Sequence, residues 1–160
     1  MCERRLSCKM KTALIVDTAN LYYTVGKQFG RRKIDYNKLQ ERLGPDVRFA
    51  FGTRVKDEAK GFIDNLKKLG YLASFVLTVP SKSTSLNVDM TIAALGMIGN
   101  VTRMIFATND RDMIPLYTYL RLQGISVQVV GCGLCKDVKY AVDGFIEIEE
   151  EMLETTESTT

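Results

Sequence analysis

The sequence contains no histidine among its 160 residues. This absence excludes Ser-His-Asp and Cys-His catalysis, HExxH zinc sites and any histidine general base. Whatever chemistry the protein performs must therefore come from carboxylates, from lysine or arginine, from thiols or from a metal ion.

Long hydrophobic runs are also missing. Hydrophobic residues make up 46% of the chain, but no apolar run approaches the length of a membrane span. The N-terminal segment 1–9 is polar and lacks the apolar core of a signal peptide. We therefore expect a soluble, cytoplasmic protein with no membrane partner, whose length suits one ordinary domain.

The charge of the chain is unevenly distributed. The net charge is +3, yet residues 147–160 contain six glutamates and neither lysine nor arginine. Setting these six negative charges aside leaves residues 1–146 at +9. A body this basic is compatible with RNA or DNA as a partner, although a solvated basic surface explains the same count.

Cysteine is scarce, and its spacing favours no single chemistry. Cys132 and Cys135 have the two-residue gap of a zinc knuckle or a redox pair, whereas the spacing of Cys2 and Cys8 is unusual for metal ligands. A structural zinc that ties the N-terminus to the Cys132 loop and a CxxC redox site are both open. Reduced thiols in a glycine-rich turn are the favoured explanation.

Short apolar segments alternate with segments of helical spacing along the chain, without internal repeats. This alternation predicts a three-layer α/β/α sandwich with a mainly parallel, Rossmann-like central sheet and right-handed crossovers. We expect an N-terminal extension over 1–11, one domain over 12–148 and an acidic, disordered tail over 149–160. The predicted strands cover residues 12–16, 47–54, 71–79, 103–108, 125–130 and 145–148, the last at an edge.

Four aspartates occupy related positions in this predicted sheet. Asp17 ends the first strand, Asp110 and Asp112 follow the fourth, and Asp89 lies in the first turn of the helix before that strand. Polar sites in such sheets collect beyond the carboxyl ends of the strands, where the strand order reverses, so we expect these side chains to converge. Carboxylates packed together need a cation, and ligation by oxygen alone selects Mg²⁺ or Mn²⁺. Phosphodiester hydrolysis suits such a site.

Each aspartate also has a structural explanation. Asp112 could cap a helix that starts near Met113. Asp89 could stabilise the N-terminus of its helix through the macrodipole. Asp17, at the end of an apolar strand, is harder to explain structurally, and it is the combination that favours a functional site.

Four short motifs occur in order along the chain. They are VDTANLY at Val16–Tyr22, Val88-Asp89-Met90, TNDRDMIPL at Thr108–Leu116 and DGFIEI at Asp143–Ile148. In this order they are similar to the IDxxNL opening, the VDV helix start, the SGDGDFxPL signature and the aDxFIxL ending of one family. The chain therefore resembles, over residues 12–148, the NYN domains, the LabA-like (DUF88) branch of the PIN-like nuclease superfamily.

The resemblance implies a PIN-like sandwich and a ribonuclease that hydrolyses RNA phosphodiester bonds with water activated by Mg²⁺ or Mn²⁺. It places metal ligands and catalytic residues at Asp17, Asp89, Asp110 and Asp112. The partner would be RNA, single-stranded or structured, and a homodimer is left open.

The same resemblance implies substrate-binding residues. Asn20 would orient the Asp17 carboxylate or bind a phosphate, Thr108 would donate a hydrogen bond to a ligand or fix the Asp110 loop, and Lys82 would contact the substrate backbone. The full predicted substrate-binding set is Asn20, Lys82, Thr108, Asn109 and Arg111.

Some positions depart from the family pattern. Asn109 replaces the usual glycine, a change that the turn can tolerate because asparagine adopts left-handed geometry more readily than most residues. Met113 replaces the usual phenylalanine. Leu95 stands where many relatives carry another aspartate, and this loss would weaken a second metal site and leave one-metal hydrolysis or reduced activity.

That missing acid supports an alternative function, a catalytically weak or inactive RNA-binding adaptor with the same fold. In either case RNA needs basic surroundings, which residues 30–33, Lys82 and Arg111 could supply. Tyr22 and Tyr23 could stack on unpaired bases, although helical spacing favours a core position for one of them.

Other sheet-based families fit the residues less well. A haloacid-dehalogenase-type phosphatase needs a second aspartate where Ala19 stands. A Toprim domain needs a glutamate where Asp17 stands. A dinucleotide-binding domain needs a glycine-rich turn after the first strand, and residues 17–20 contain no glycine.

Overall fold

The computed structural model describes residues 11–55, 59–78 and 85–155. The strands within these ranges are β1 (Thr12–Asp17), β2 (Val47–Arg54), β3 (Leu72–Leu77), β4 (Arg103–Ala107), β5 (Ser126–Gly131) and β6 (Gly144–Glu147). They form one sheet in the order β3-β2-β1-β4-β5-β6, and every neighbouring pair is parallel. The predicted α/β sandwich is confirmed, with a sheet that is entirely parallel and β6 at an edge.

The helices alternate with the strands. They are α1 (Thr18–Phe29), α2 (Tyr36–Leu43), α3 (Lys60–Lys68), α4 (Asn87–Gly96), α5 (Ile114–Leu122) and α6 (Lys136–Ala141), with 3-10 turns at Arg111–Met113 and Glu150–Met152. Local signals set their ends: the Asp35 carboxylate caps α2, and Gly44 ends it in a left-handed conformation. Across the described ranges, no helix has both the length and the apolar character needed to cross a membrane.

β1 lies in the middle of the sheet, and both of its faces are buried. Leu14 and Val16 pack in the cluster that contains buried residues of α1 and α2, while Ala13 and Ile15 pack in the cluster with α4 and α5. A parallel strand covered on both faces needs a continuous apolar run, which the segment Ala13–Val16 supplies. These two clusters hold β1 rigidly and thereby fix the position of Asp17 at its end.

The strand order reverses between β1 and β4. In the register of this pair, Val16 lies opposite Ala107, so Asp17 and Thr108 leave the sheet side by side. Crevices at such switch points are the usual ligand sites of open parallel sheets. Asp17 and the loop that carries Asp110 and Asp112 therefore begin from adjacent backbone positions.

The segment 149–155, which the sequence places in the acidic tail, packs on the domain as far as Glu154. Met152 and Leu153 are buried, and Leu153 forms an antiparallel bridge with Ile34. The Glu154 backbone N–H donates to the Lys33 carbonyl at 2.8 Å. Residues 1–10 and 156–160 lie outside the described ranges.

Cys132 and Cys135 are free thiols in this structure. The Cys132 thiol is buried and donates to Gln28 Oε1 at 2.9 Å. Burial raises the pKa of Cys132, and the negative charge of Glu147 raises it further, so its thiolate is disfavoured at neutral pH. This environment is unlike that of a reactive redox cysteine, while the zinc hypothesis depends on Cys2 and Cys8, outside the described residues.

Candidate active site

Asp17 is a buried carboxylate at the carboxyl end of β1, with 6% of its surface exposed. Its Oδ1 accepts a hydrogen bond from the Asn20 backbone N–H at 3.0 Å, so it caps α1. Burial raises the pKa of Asp17, and the charge of Asp110 raises it further, although the backbone N–H groups of Asn20 and Ala19 oppose the change. The two carboxylates therefore repel each other across the switch point.

Asp110 is held by hydrogen bonds to both carboxylate oxygens. Asn87 Nδ2 donates to Oδ2 at 2.9 Å, and the Asp112 backbone N–H donates to Oδ1 at 2.8 Å. Its own backbone N–H donates to Thr108 Oγ1 at 3.3 Å. Asp110, not Asp112, thus caps the turn before α5, and the helix-cap explanation of Asp112 is wrong.

Two asparagines join the loops that carry the carboxylates. The Asn109 backbone N–H donates to Asn20 Oδ1 at 2.8 Å, which ties the first turn of α1 to the loop after β4. Asn109 Nδ2 donates to the carbonyls of Cys132 at 2.9 Å and Gly133 at 3.3 Å. Asn109 Oδ1 is buried without a hydrogen-bond partner in the described structure. The side chain of Asn20 thus fixes the spacing of the carboxylate pair.

The other two predicted ligands are less closely integrated. Asp89 is half-buried in the first turn of α4, and its carboxylate makes no hydrogen bond or ion pair with another described residue. Asp112 is exposed. Within residues 11–55, 59–78 and 85–155, no group of three or more His, Cys, Asp or Glu side chains is arranged to hold a metal ion. Ligation by all four aspartates therefore stays a prediction.

The remaining predicted substrate residues have varied surroundings. Thr108 is buried, and its hydroxyl fixes the Asp110 loop, one of the two roles expected of it. Arg111 is exposed and forms an ion pair with Asp137. Lys82 lies outside the described residues.

Two residues near the carboxylates were not expected from the sequence. Asn87 orients Asp110, and its only sequence signal is an amide two positions before Asp89. Tyr117 of α5 is fully buried, and its hydroxyl has no partner among the described residues. Burial raises the pKa of Tyr117, and the charges of Asp110 and Asp17 raise it further, which locates its phenol in the field of both carboxylates.

A groove of about 690 Å³ runs along the outer side of α1; we call it the basic groove. Tyr22 and Tyr23 line it with 72% and 66% of their surfaces exposed, so the expectation that one of them belongs to the core is wrong. The Lys27 ammonium lies 5.7 Å from the centre of the Tyr23 ring. The cationic residues that line the groove are Lys27, Arg31, Arg32 and Lys33.

Comparison with known proteins gives one family match and a structural relative. The model of the NYN domain family matches residues 11–149. The crystal structure of a protein of unknown function from Vibrio parahaemolyticus superposes with a TM-score of 0.81 at 22% identity, over 92% of this chain and 98% of that chain. At this identity the likeness shows a shared fold alone. No curated protein matches the sequence.

Proposed function

The chain belongs to the NYN domain family, a PIN-like nuclease family, and from this premise we propose that it is a ribonuclease that hydrolyses RNA phosphodiester bonds with Mg²⁺ or Mn²⁺. Its motifs favour the LabA-like branch of the family. The observation that carries the proposal is the pair of repelling carboxylates, Asp17 and Asp110, at the switch point of the sheet.

The donor set of this site suits a hard divalent cation. Asp17 and Asp110 offer only oxygen atoms, and a cation between them would offset both the burial and the repulsion that raise the pKa of Asp17. Asp89 and Asp112 would complete its surroundings through water. When bound, the cation would polarise the scissile phosphate and make a water molecule nucleophilic.

The residues of the chain would position the reacting groups. Asn20 and Asn87 hold the two carboxylates in place from α1 and α4. The protein supplies no nucleophile in this proposal, so hydrolysis proceeds by in-line attack of water without a covalent intermediate. The basic groove would attract the phosphate backbone, because cationic side chains provide most of the sequence-independent affinity for RNA.

A cleavage assay tests this function. Purified protein should cleave single-stranded RNA when Mn²⁺ or Mg²⁺ is added and should be inactive in EDTA. Asp17→Asn and Asp110→Asn should each lower the rate at least about 100-fold, since even residues that only support metal ligands contribute 10- to 100-fold. Asp64→Asn, an exposed aspartate on α3, is the matched control and should leave the rate unchanged. A folded Asp17→Asn variant with full activity would refute the proposal.

An RNA-binding adaptor is the second candidate. It is favoured by the absence, among the described residues, of a cluster of three acidic side chains, and by Leu95 at the position of a family acid, 42% exposed on α4. The same assay separates the two functions. Tight RNA binding without turnover, at any concentration of Mn²⁺, would establish the adaptor.

A further inference from the structure

A second cavity, of about 480 Å³, opens beside the first turn of α1. Thr18 and Ala19, which directly follow Asp17, form one side of it, and Thr53 near the end of β2 forms another. Its volume falls in the range of small-ligand sites. We call it the aromatic pocket, because four aromatic side chains are among its other lining residues.

Four aromatic side chains surround the aromatic pocket: Tyr22, Tyr36, Phe62 and Phe75. The rings of Tyr36 and Phe62 are 5.6 Å apart and tilted by 56°, and those of Phe62 and Phe75 are 5.9 Å apart and nearly perpendicular. These contacts hold three of the rings as a preformed wall. Tyr22 is largely exposed, so its ring stands at the mouth, available to stack on a planar ligand.

The backbone of β2 contributes to the shape of this wall. A methyl group at Gly52 would overlap both the ring of Phe75 and the hydroxyl of Thr18. Glycine therefore lets Phe75 lie close against β2 beside the start of α1.

The aromatic pocket also contains a hydroxyl group that can bind a ligand. Tyr36 is 9% exposed, and its hydroxyl makes no hydrogen bond with another described residue but keeps contact with solvent. Burial raises the pKa of this phenol, and the charges of Tyr71, Asp17 and Glu154 raise it further, so the group stays protonated and able to donate. A bound ligand with a hydrogen-bonding edge could replace the water at this hydroxyl.

The aromatic pocket is continuous with the basic groove, because Tyr22 and Lys33 line both. Arg31 and Lys33 in the groove make no ion pair with another described residue, whereas Arg32 pairs with Glu150. An anionic strand in the groove would thus reach the carboxylate pair with one of its units beside the aromatic pocket. Glu154 on the pocket lining would disfavour a phosphate inside and could accept a hydrogen bond from the exocyclic amino group of a base.

We propose that the aromatic pocket binds one unpaired base of the RNA substrate, next to the phosphate that lies at Asp17 and Asp110. A base has a planar face on which Tyr22 can stack and a polar edge that can accept a hydrogen bond from the Tyr36 hydroxyl. The inference rests on the proposed function, because that function supplies RNA as the ligand. Its test does not depend on hydrolysis, because binding of a base can be measured without cleavage.

The test is a binding titration of the full chain in EDTA, with the common ribonucleoside 5′-monophosphates and with short single-stranded oligoribonucleotides. Tyr22→Ala should weaken both kinds of binding roughly 5- to 150-fold, the range for loss of one base–aromatic stack. Tyr23→Ala is the matched control: it is adjacent and equally exposed but lines only the basic groove, so mononucleotide affinity should change by less than about twofold. Tyr36→Phe removes one oxygen and should change the ratio of affinities among the bases about fivefold.

The outcomes are distinguishable from failure of the proposed function. Nucleotide binding with these effects but without cleavage in Mn²⁺ would support the aromatic pocket and reject only hydrolysis. Cleavage by a wild-type protein that binds no mononucleotide would overturn the pocket alone. Equal losses of affinity in Tyr22→Ala and Tyr23→Ala would also overturn it, since binding in the basic groove would then explain the data. Mononucleotides that fail to compete with the oligonucleotide would overturn it too, since the two ligands would then bind at different sites.

Discussion

Asp17 carries a charge that the fold buries beside a second carboxylate, and this arrangement lowers stability when no cation is bound. Asp17→Asn keeps the helix cap, because asparagine caps as well as aspartate, but removes the repulsion. In EDTA at neutral pH we expect the variant to unfold at a higher temperature than the wild type, by roughly 2–4 °C for each kcal/mol regained. Thermal denaturation followed by circular dichroism measures the difference.

The raised pKa of Asp17 predicts how this difference depends on pH. An acid whose pKa is raised on folding stabilises the folded state below its ordinary pKa of 3.8, and this contribution is lost as the pH rises through the folded value. The advantage of Asp17→Asn should therefore shrink as the pH falls toward 3.8. Mn²⁺ should raise the unfolding temperature of the wild type more than that of the variant. An advantage that grows on acidification would contradict this account.

Asn87 is a positioning residue for Asp110, and its removal should impair catalysis more than binding. Asn87→Ala deletes the donor to Asp110 Oδ2. A hydrogen bond to a charged group contributes about 1.5–3 kcal/mol, so we expect kcat for RNA to fall by at least about 10-fold with little change in KM. Steady-state kinetics in Mn²⁺ measure both constants. Asn100→Ala, at an exposed asparagine after α4, should match the wild type, and an Asn87→Ala effect on KM alone would show a role in substrate binding instead.

Individual site residues differ in how far a sequence can reveal them. Asp17 and Asp110 are recognisable because a carboxylate at or within three residues of the end of a buried parallel strand lies near the carboxyl edge of the sheet. Asn87 and Tyr117 gain their roles from contacts with distant segments. A tyrosine at helical spacing in α5 has the same pattern as any core residue, so its lone hydroxyl near two carboxylates becomes visible only in three dimensions.

At the scale of elements, β2 and β3 depend on a glycine. A methyl group at Gly52 would meet the Phe75 ring and the Thr18 side chain, both packed tightly beside the sheet. Gly52→Ala should therefore reduce the free energy of unfolding by about 1–3 kcal/mol, as overpacking does. It should also displace Phe75 and weaken mononucleotide binding. Urea denaturation and nucleotide titration measure the two effects.

Gly26→Ala provides the matched control for Gly52→Ala. Gly26 lies inside α1, and a methyl group there would contact nothing within 4 Å. Alanine in a helix interior is favoured over glycine by about 0.5–1 kcal/mol, so this variant should be more stable than the wild type. If both substitutions stabilise the protein, the Phe75 ring moves aside easily, and the wall of the aromatic pocket is not rigid.

The elements themselves follow closely from sequence pattern, with two informative differences. Central strands such as β1 are continuous apolar runs because both faces are covered, and this signal is strong. The helix expected near Met113 begins at Ile114, after a 3-10 turn capped by Asp110, because the capping carboxylate lies two residues earlier than expected. The glutamates of the segment 149–155 suggested a solvated tail, but Met152 and Leu153 bury their side chains against the domain.

At the scale of the whole molecule, the distribution of charge would allow the proposed RNA substrate to approach an acidic site. The carboxylate pair alone would repel a phosphate, but the basic groove lies along α1, the helix that Asp17 caps, and its Arg31 and Lys33 form no ion pair with another described residue. Part of the excess positive charge of residues 1–146 is therefore concentrated along α1, in the basic groove. Its position could not be predicted from a count, because the count does not say which lysines and arginines share a surface.

This arrangement predicts a specific salt dependence. Each cationic side chain that contacts a phosphate contributes about one unit to the slope of log affinity against log salt concentration, so Arg31→Ala should weaken RNA binding and flatten the slope by about 1. Lys68→Ala is the control. Lys68 is the last residue of α3, which leads into the amino end of β3, whereas the carboxylates lie at the carboxyl ends of the strands. Filter binding in EDTA over a range of KCl concentrations measures both slopes. If Lys68→Ala flattens the slope as much as Arg31→Ala, RNA binds by diffuse attraction to the whole basic body, and the basic groove has no special part in guiding it to Asp17 and Asp110.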